Sequence, residues 1–371
     1  MTVRHGLRLL MSVDTVGGVW TYAVDLAAGL AARGVATVLA VLGPPPDAAQ
    51  RADAAGIPGL QLVVLDQPLE WLAGSASEVE ASGAALAALA RETGADLVHL
   101  NSPAPAAATR LEVPLVIACH SCLATWWESL RDEPLPEDFR WRAELAARGY
   151  RSADLLVAPT AWFAGATRAA YDLPRTPLIV HNGRRSGAAN GQAVASPPVA
   201  FAAGRLWDEG KGARTLDSVA ALLPFPLLAA GPVTGPNGVT VDLRHLQLAG
   251  RLSAAGISAV LAAQPIFVSA ARYEPFGLAV LEAAQSGCAL VLSDTSGFRE
   301  LWDGAAVFVA ADDAGGFAMA IGMLADDPER RAALGVAARE RAGHYSLERQ
   351  VDGMLTAYRE LLCRTGRDEA A

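Results

Sequence analysis

Short, continuous apolar runs alternate with helical stretches along most of this chain, and this alternation limits the fold more than any other feature. The first runs are residues 7–12 and 35–42, and a helical stretch from Gly17-Gly18 to Arg33 lies between them. Strands that are apolar throughout are typical of a parallel sheet with helices on both faces. Further runs of this kind occur at residues 60–65, 97–100, 115–119, 155–158 and 179–180.

The alternation stops over residues 185–198 and restarts at residue 199. The interruption has no apolar periodicity and ends at Pro197-Pro198, so we predict a linker there. The pattern that follows predicts strands at residues 199–203, 227–230, 266–269, 289–292 and 306–309, and helices at 213–222, 317–324, 329–342 and 347–362.

A chain of 371 residues is too long for one ordinary core. We therefore predict an α/β fold with two doubly wound parallel-sheet domains that meet at a cleft. The expected division is an N-terminal domain of residues 1–184, a C-terminal domain of residues 199–345 and a closing helix in residues 346–371. Ligands of such sheets bind beyond the carboxyl ends of the strands, so the candidate site is sought in those loops.

Composition restricts the class of protein and the kind of partner. The apolar content of 52% argues against intrinsic disorder, and the net charge of −9 argues against nucleic acid as the main partner. Residues 252–271 are free of charge, but Gln264-Pro265 interrupts them, so we predict a buried helix followed by a strand. We expect a cytoplasmic protein and leave peripheral contact with a membrane open.

Cysteines are few, and two of them flank a histidine. Four cysteines do not form a disulfide scaffold. Cys119 and Cys122 make a C-x-x-C around His120, but no second cysteine or histidine pair completes a zinc site. We therefore favour two small buried side chains over a redox or metal pair, and we predict no bound metal.

The most specific motif is EPFGLAVLE, residues 274–282. Pro275 and Gly277 indicate a loop and Leu278 begins a helix, so Glu274 precedes that helix and Glu282 lies about one turn into it. A helix N-terminus suits a phosphate, and the two carboxylates suit sugar hydroxyls. An ordinary helix with acidic residues at its start is the alternative.

The second motif is GRLWDEGKG, residues 204–212. Arg205 directly follows a predicted strand, and Lys211 is the only lysine among 30 basic residues. Two cations beside a glycine turn suit a diphosphate, although solvent-exposed cations without a role remain an alternative. The spacing is not that of a P-loop, and Gly212 stands where a magnesium-binding hydroxyl would be.

Residues after the N-terminal strands complete the candidate site. Gly17 and Gly18 follow the first strand without the G-x-G-x-x-G spacing of dinucleotide folds, yet they allow close approach of a ligand. His120 ends the strand at 115–119, in a cleft position or as an ordinary structural histidine. Weaker candidates are Asn101 and Ser102, which end another strand and could line the same side. Trp126 and Trp127, on the loop that follows His120, could stack on a sugar or simply pack.

In this order, these residues resemble the retaining glycosyltransferases of family 4 (glycosyl transferases group 1), which have the GT-B fold of two Rossmann-like domains. The likeness covers nearly the whole chain and is strongest over residues 201–287. Where the family often continues Asn-Gly with Val-Asp, this chain has Arg184-Arg185. The motifs that carry the resemblance are Gly17-Gly18, His120, Asn182-Gly183, Gly204-Arg205-Leu206 with Lys211-Gly212, and residues 274–282.

The resemblance implies a role for each of these residues. Arg205 and Lys211 would neutralise the diphosphate of a nucleotide-sugar, and Glu282 would hold the ribose. Glu274 and His120 would contact the donor sugar, as catalytic residues together with Arg205 and Lys211. Other implied donor contacts are Gly17 and Gly18 and the N–H groups of Phe276, Gly277 and Leu278; Asn101, Trp126 and Trp127 would face the acceptor.

The resemblance also implies the chemistry. It predicts a metal-independent transfer that retains the anomeric configuration, and no Asp-x-Asp metal motif occurs in the sequence. The co-substrate would be a UDP- or GDP-sugar with no other cofactor, and the acceptor a sugar, glycan, lipid-linked or small molecule. Another GT-B activity (a sugar phosphorylase or a nucleotide-sugar epimerase) and a non-catalytic nucleotide-sugar-binding protein remain alternatives. A two-carboxylate glycosidase is disfavoured.

Overall fold

A computed structural model describes residues 6–185 and 199–368 of the chain. The chain divides into two compact units, one of Met1–Gly183 with Leu347–Ala371 and one of Arg184–Ser346. Apart from Arg185, the predicted linker lies outside the described residues. Each unit is a parallel sheet with helices, so the predicted α/β fold class is confirmed.

The first unit is built on a seven-stranded sheet in the order β3-β2-β1-β4-β5-β6-β7, with every neighbouring pair parallel. The chain adds strands toward one edge from β1 to β3 and toward the other edge from β4 onward. The switch point, where doubly wound sheets bind ligands, therefore lies at the carboxyl ends of β1 and β4. Its strands are β1 Arg8–Val13, β2 Ala36–Val41, β3 Leu60–Val64, β4 Leu97–Leu100, β5 Leu115–Ala118, β6 Leu155–Ala158 and β7 Leu178–Ile179.

Helices cover the sheet of the first unit, as its apolar strands require. Leu9, Leu10 and Met11 of β1 are fully buried, which needs packing against both faces. The helices from the N-terminal part of the chain are α1 Gly18–Ala31, α2 Ala48–Ala55, α3 Ala76–Thr93, α4 Leu123–Leu130, α5 Glu137–Ser152 and α6 Ala161–Ala170.

The last helix of the chain, α13 (Leu347–Asp368), belongs to the core of the first unit. Val351, Met354 and Tyr358 are buried there among residues of the first sheet and of α1. Tyr358 Oη lies 2.5 Å from Nδ1 of the buried His99 on β4. The amide Oε1 of Gln350 accepts a hydrogen bond of 2.8 Å from Gly183 N–H, at the end of the N-terminal segment.

The second unit repeats the architecture with a six-stranded parallel sheet in the order β10-β9-β8-β11-β12-β13. Its switch point therefore lies at the carboxyl ends of β8 and β11. The strands are β8 Ala200–Ala203, β9 Leu227–Ala230, β10 Gln247–Gly250, β11 Ile266–Ser269, β12 Leu290–Ser293 and β13 Val307–Val309. The helices are α7 Ala213–Leu222, α8 Ala254–Ala262, α9 Leu278–Gln285, α10 Ser296–Trp302, α11 Ala314–Asp326 and α12 Pro328–Ala342.

One predicted element of the second unit differs from expectation. The prediction of a buried helix in the charge-free run is wrong, because α8 is mainly a surface helix in which only Val260 and Leu261 are buried. Its exposed positions are all alanines, and such small residues raise mean hydropathy without requiring a core position. Within residues 6–185 and 199–368, no helix combines the length and the apolar character needed to cross a membrane.

Candidate functional site

The turn that carries Lys211 is fixed against the segment that leads to Glu274. The carbonyl oxygen of Gly210 accepts hydrogen bonds from the N–H groups of Arg272 (2.9 Å) and Tyr273 (3.1 Å). Gly212 has a φ of +68°, and a Cβ there would lie 2.1 Å from the carbonyl oxygen of Ala270. Only glycine fits this close approach, so the fold joins the loops after β8 and β11 at the switch point.

Lys211 and Glu274 form an ion pair at this junction. Lys211 Nζ lies 2.6 Å from Glu274 Oε2, and the two side chains are 21% and 17% exposed. The pair is therefore shielded but still reachable from solvent. An ammonium group has three N–H donors, so Lys211 can hold Glu274 and an anionic ligand together.

Arg205 is held within its own loop by Asp208. Its Nη2 lies 2.9 Å from Asp208 Oδ2, and its guanidinium lies 5.9 Å from the ring of Trp207. The other carboxylate oxygen of Asp208 accepts a hydrogen bond of 3.0 Å from Gly210 N–H. Asp208, which the sequence analysis did not select, thus contacts both the arginine and the turn that carries the lysine. A guanidinium has five donors, so this pairing leaves others for a ligand.

The helix of the 274–282 motif begins as expected. Gly277 has a φ of +89° and directly precedes α9, whose first turn presents N–H groups without partners inside the helix. The ring of Phe276 is buried 5.8 Å from that of Tyr345, so Phe276 can offer a ligand only its backbone. This helix end is suited to an anion.

Glu282 is not paired with either of the two predicted cations. Its Oε1 lies 2.7 Å from Nη2 of Arg184, the residue that departs from the family pattern. The backbone carbonyl of Arg184 also accepts a hydrogen bond of 3.1 Å from Gln285 Nε2 on α9. Sequence reasoning missed this partner, because the two residues come from distant parts of the chain.

In the first unit, the structure joins His120 to Asn101. His120 follows β5 and Asn101 follows β4, and His120 Nε2 lies 2.7 Å from Asn101 Oδ1. Asn101 Nδ2 donates to the carbonyl oxygen of Ser12 at 2.6 Å, which fixes the amide so that Oδ1 faces the histidine. His120 therefore carries its proton on Nε2 and presents Nδ1 as an acceptor.

The environment of His120 keeps the ring neutral. Burial lowers the pKa of His120 to about 4, and the ring of Tyr22 on α1 packs edge-on against it at 4.4 Å. Gly17 and Gly18 stand at the start of the same helix, after β1. The glycine pair and His120 thus lie on loops at the switch-point edge of the first sheet.

We expect the ring of His120 to titrate near pH 4 in NMR spectra of histidine-labelled protein. The signal is assigned by its loss in His120→Gln. An unfolded histidine has a pKa of about 6.5, so between about pH 6.5 and 4 the unfolded chain takes up a proton that folded His120 does not. This residue therefore reduces stability as the pH falls through that window. A titration midpoint near 6.5 would contradict the buried, neutral ring.

Trp126 and Trp127 do not lie on a loop, which corrects the sequence-based expectation. Both lie in α4, which begins just after Cys122. Trp127 Nε1 donates to the carbonyl oxygen of Glu133 at 2.7 Å, and its ring lies 6.2 Å from that of Phe139 on α5. Trp127 thus packs between α4 and α5.

Cys119 and Cys122 are buried thiols, and neither forms a disulfide. Burial is the main cause that raises the pKa of each, and Cys122 Sγ lies 2.9 Å from Thr125 Oγ1. In the part of the chain that the structure describes, no three histidine, cysteine or acidic side chains gather as metal ligands.

Two family profiles match the chain in succession. The profile of Glycosyltransferase Family 4 matches residues 16–184, and that of Glycosyl transferases group 1 matches residues 242–341. Together they cover more than half of the chain and include every motif of both units except the 204–212 segment. The chain belongs to the family 4 (group 1) glycosyltransferases. It is therefore an enzyme of the glycosyltransferase class, and the expected family is confirmed.

Known proteins agree with this assignment. The lipopolysaccharide core biosynthesis mannosyltransferase LpsB of Rhizobium meliloti is 30% identical over 165 residues, which is 40% of this chain and 47% of that protein. The match thus spans about half the length of this curated relative.

Solved structures show that this glycosyltransferase has the GT-B fold. Sucrose-phosphate synthase from Thermosynechococcus elongatus superimposes with a TM-score of 0.79 at 19% identity, over 96% of this chain and all of that one. Anabaena HepE in complex with UDP-glucose superimposes with a TM-score of 0.72 at 20% identity, over 95% of this chain and 100% of that one. WaaG, a glycosyltransferase involved in lipopolysaccharide biosynthesis, superimposes with a TM-score of 0.69 at 16% identity, over 94% of this chain and 98% of that one.

Proposed function

We propose that this glycosyltransferase moves a sugar from a nucleotide-diphosphate donor to a hydroxyl group of an acceptor, with retention of the anomeric configuration. The observation that carries the proposal is the Lys211–Glu274 ion pair at the switch point of the second unit. Lys211 would supply a cation to the diphosphate, and Glu274 would supply a carboxylate to the attached sugar.

Stabilisation of the leaving group is the main chemical task of this site. The bond from the anomeric carbon to the diphosphate oxygen breaks, and negative charge develops on the diphosphate. Lys211, Arg205 and the N-terminus of α9 would stabilise that charge from fixed positions. The acceptor oxygen bonds to the same face of the anomeric carbon, and its proton passes to the departing phosphate oxygen.

Other residues would position the donor. Glu282 keeps one carboxylate oxygen beyond its pair with Arg184, and that oxygen can accept a hydrogen bond from a ribose hydroxyl. The neutral His120 would accept a hydrogen bond from the donor sugar through Nδ1. Gly17 and Gly18 would allow the diphosphate to approach α1. HepE binds UDP-glucose, so UDP-sugars are the first donors to test and GDP-sugars the second.

The acceptor would be a sugar or glycan, free or lipid-linked. This follows from LpsB and WaaG, whose names place them in lipopolysaccharide biosynthesis. Within the described residues the four cysteines form no disulfide, which fits a reducing compartment, so we propose cytoplasmic action, with a membrane-linked acceptor reached from that side.

A donor screen tests the proposal. Nucleotide release from UDP- and GDP-sugars is measured with purified protein, and the anomeric configuration of the product is read by NMR. We expect release from one donor class and a retained configuration. Sugar transfer to inorganic phosphate would indicate a phosphorylase, an epimerised nucleotide-sugar would indicate an epimerase, and tight nucleotide binding without turnover would indicate a binding protein.

We expect full activity in EDTA, because arginine, lysine and helix N–H groups supply the positive charge that a metal would otherwise provide. The measurement compares initial rates of transfer after dialysis against EDTA with rates after added magnesium. A complete loss that magnesium restores would contradict a metal-independent reaction.

A further inference from the structure

A carboxylate that the proposed donor chemistry does not use lies beside the His120–Asn101 pair. Glu70 belongs to the loop after β3, and its Oε2 accepts hydrogen bonds from Ser102 Oγ and from Ala104 N–H at 3.2 Å. Ser102 directly follows Asn101 in sequence. The fold therefore brings Glu70 to the carboxyl end of β4, at the switch point of the first unit.

The charge of Glu70 is not balanced by a cation. In the described part of the first unit, its hydrogen-bond partners are Ser102 and Ala104, and no basic side chain forms an ion pair with it. Burial is the main cause that raises the pKa of this carboxyl, the two hydrogen bonds oppose the rise, and the charge of Asp14 adds to it. A partly buried acid without a cation is unfavourable for folding, so it points to a ligand.

The remaining hydrogen-bonding capacity of Glu70 defines what the ligand must offer. Both described hydrogen bonds go to Oε2, so Oε1 is available to a donor group such as a sugar hydroxyl. The next residue in sequence, Trp71, is 38% exposed and offers a flat apolar surface on the same loop. A carboxylate beside an exposed aromatic ring suits a hydroxyl-rich ligand, whereas the acidic surroundings repel a phosphate or a carboxylate.

We propose that Glu70, held by Ser102 and the Ala104 N–H, binds a hydroxyl group of the acceptor and selects saccharides without an anionic substituent at this position. The inference rests on the proposed function, because that function makes the bound saccharide the acceptor. Glu70 is a substrate-positioning residue, and the acceptor proton still passes to the departing phosphate.

Ligand binding without turnover tests this inference. Saturation-transfer NMR with the full chain and UDP uses methyl glycosides of glucose, galactose and mannose, glucosamine, glucose 6-phosphate and glucuronic acid as probes. We expect neutral and amino sugars to bind and the two anionic sugars to bind more weakly. Glu70→Gln should weaken binding of the preferred sugar about tenfold or more, the scale of a hydrogen bond to a charged group, and reduce discrimination against anionic sugars.

Two further variants separate recognition from folding. Glu92→Gln removes an exposed carboxylate of α3 and should bind like the original chain. Ser102→Ala keeps the charge of Glu70 but removes one of its donors, and it should give an intermediate loss if Glu70→Gln does not fold. Stronger binding of anionic sugars, equal binding by Glu70→Gln or Ser102→Ala, or no saccharide binding at all would overturn the inference.

A failure of the proposed function can be told apart from a failure of this inference. If saccharides bind as expected but no nucleotide-sugar is cleaved, the transfer reaction is wrong and the Glu70 site stands as a saccharide site. If a donor is cleaved but Glu70→Gln binds saccharides as tightly as the original chain, the transfer reaction stands and the inference is wrong.

Discussion

Lys211→Ala is expected to lower kcat/KM for transfer at least about a hundredfold, the scale of removing one fixed partner of developing negative charge. The ammonium is the single lysine of the chain, and its turn is fixed by Gly210 and Gly212 against the loop after β11. The position of the ammonium is therefore set by the fold rather than by a flexible loop. The measurement is the rate of nucleotide release with saturating acceptor.

Three comparisons interpret that result. Arg205→Ala should show a loss of similar size, because Asp208 holds its guanidinium at the same strand end. Lys211→Arg should remain impaired, since a planar fork does not replace a compact ammonium in a turn closed by glycines. Arg214→Ala removes an exposed cation of α7 and should leave the rate unchanged. Unaltered turnover in Lys211→Ala would refute the diphosphate assignment.

The second large effect concerns Glu274. Glu274→Ala should lose activity on the same scale as Lys211→Ala, because it removes the sugar-facing carboxylate and the partner that orients the ammonium. The double variant Lys211→Ala/Glu274→Ala should be about as impaired as the worse single variant. Residues that act as a unit are not additive when they are removed together.

Melting temperatures of all three variants control for loss of fold. Independent losses that multiply in the double variant would show that the 2.6 Å contact has no role in turnover. A rate for Glu274→Ala equal to that of the original chain would instead favour a binding protein without catalysis.

Sequence patterns predict the strands of this fold well where both faces of a strand are buried. The strands β9 and β11 begin and end at the predicted residues, because each is an apolar run enclosed by glycine, proline or alanine. The strand β10 escaped prediction, since it is a largely exposed edge strand, QLAG, whose alternation is too short to recognise. Edge strands depend on one neighbour rather than on two buried faces.

The candidate site is predictable in residue type but not in pairing. The local spacing of the 204–212 and 274–282 motifs located the loops that hold Lys211 and Glu274. Contacts such as Arg184 with Glu282, and Glu70 with Ser102 across 32 residues, arise only from sheet order and loop closure. No periodicity reports such contacts, so sequence reasoning had no signal for Glu70.

The placement of α13 has a consequence for how the enzyme is made. The first unit needs buried side chains from Val351 to Leu361, which leave the ribosome after all of the second unit has been synthesised. The second unit is continuous in sequence and can complete its core first. The surface of the first unit that α13 covers therefore stays exposed until α13 itself has been synthesised. The core of the first unit is thus completed only after the second unit has been synthesised.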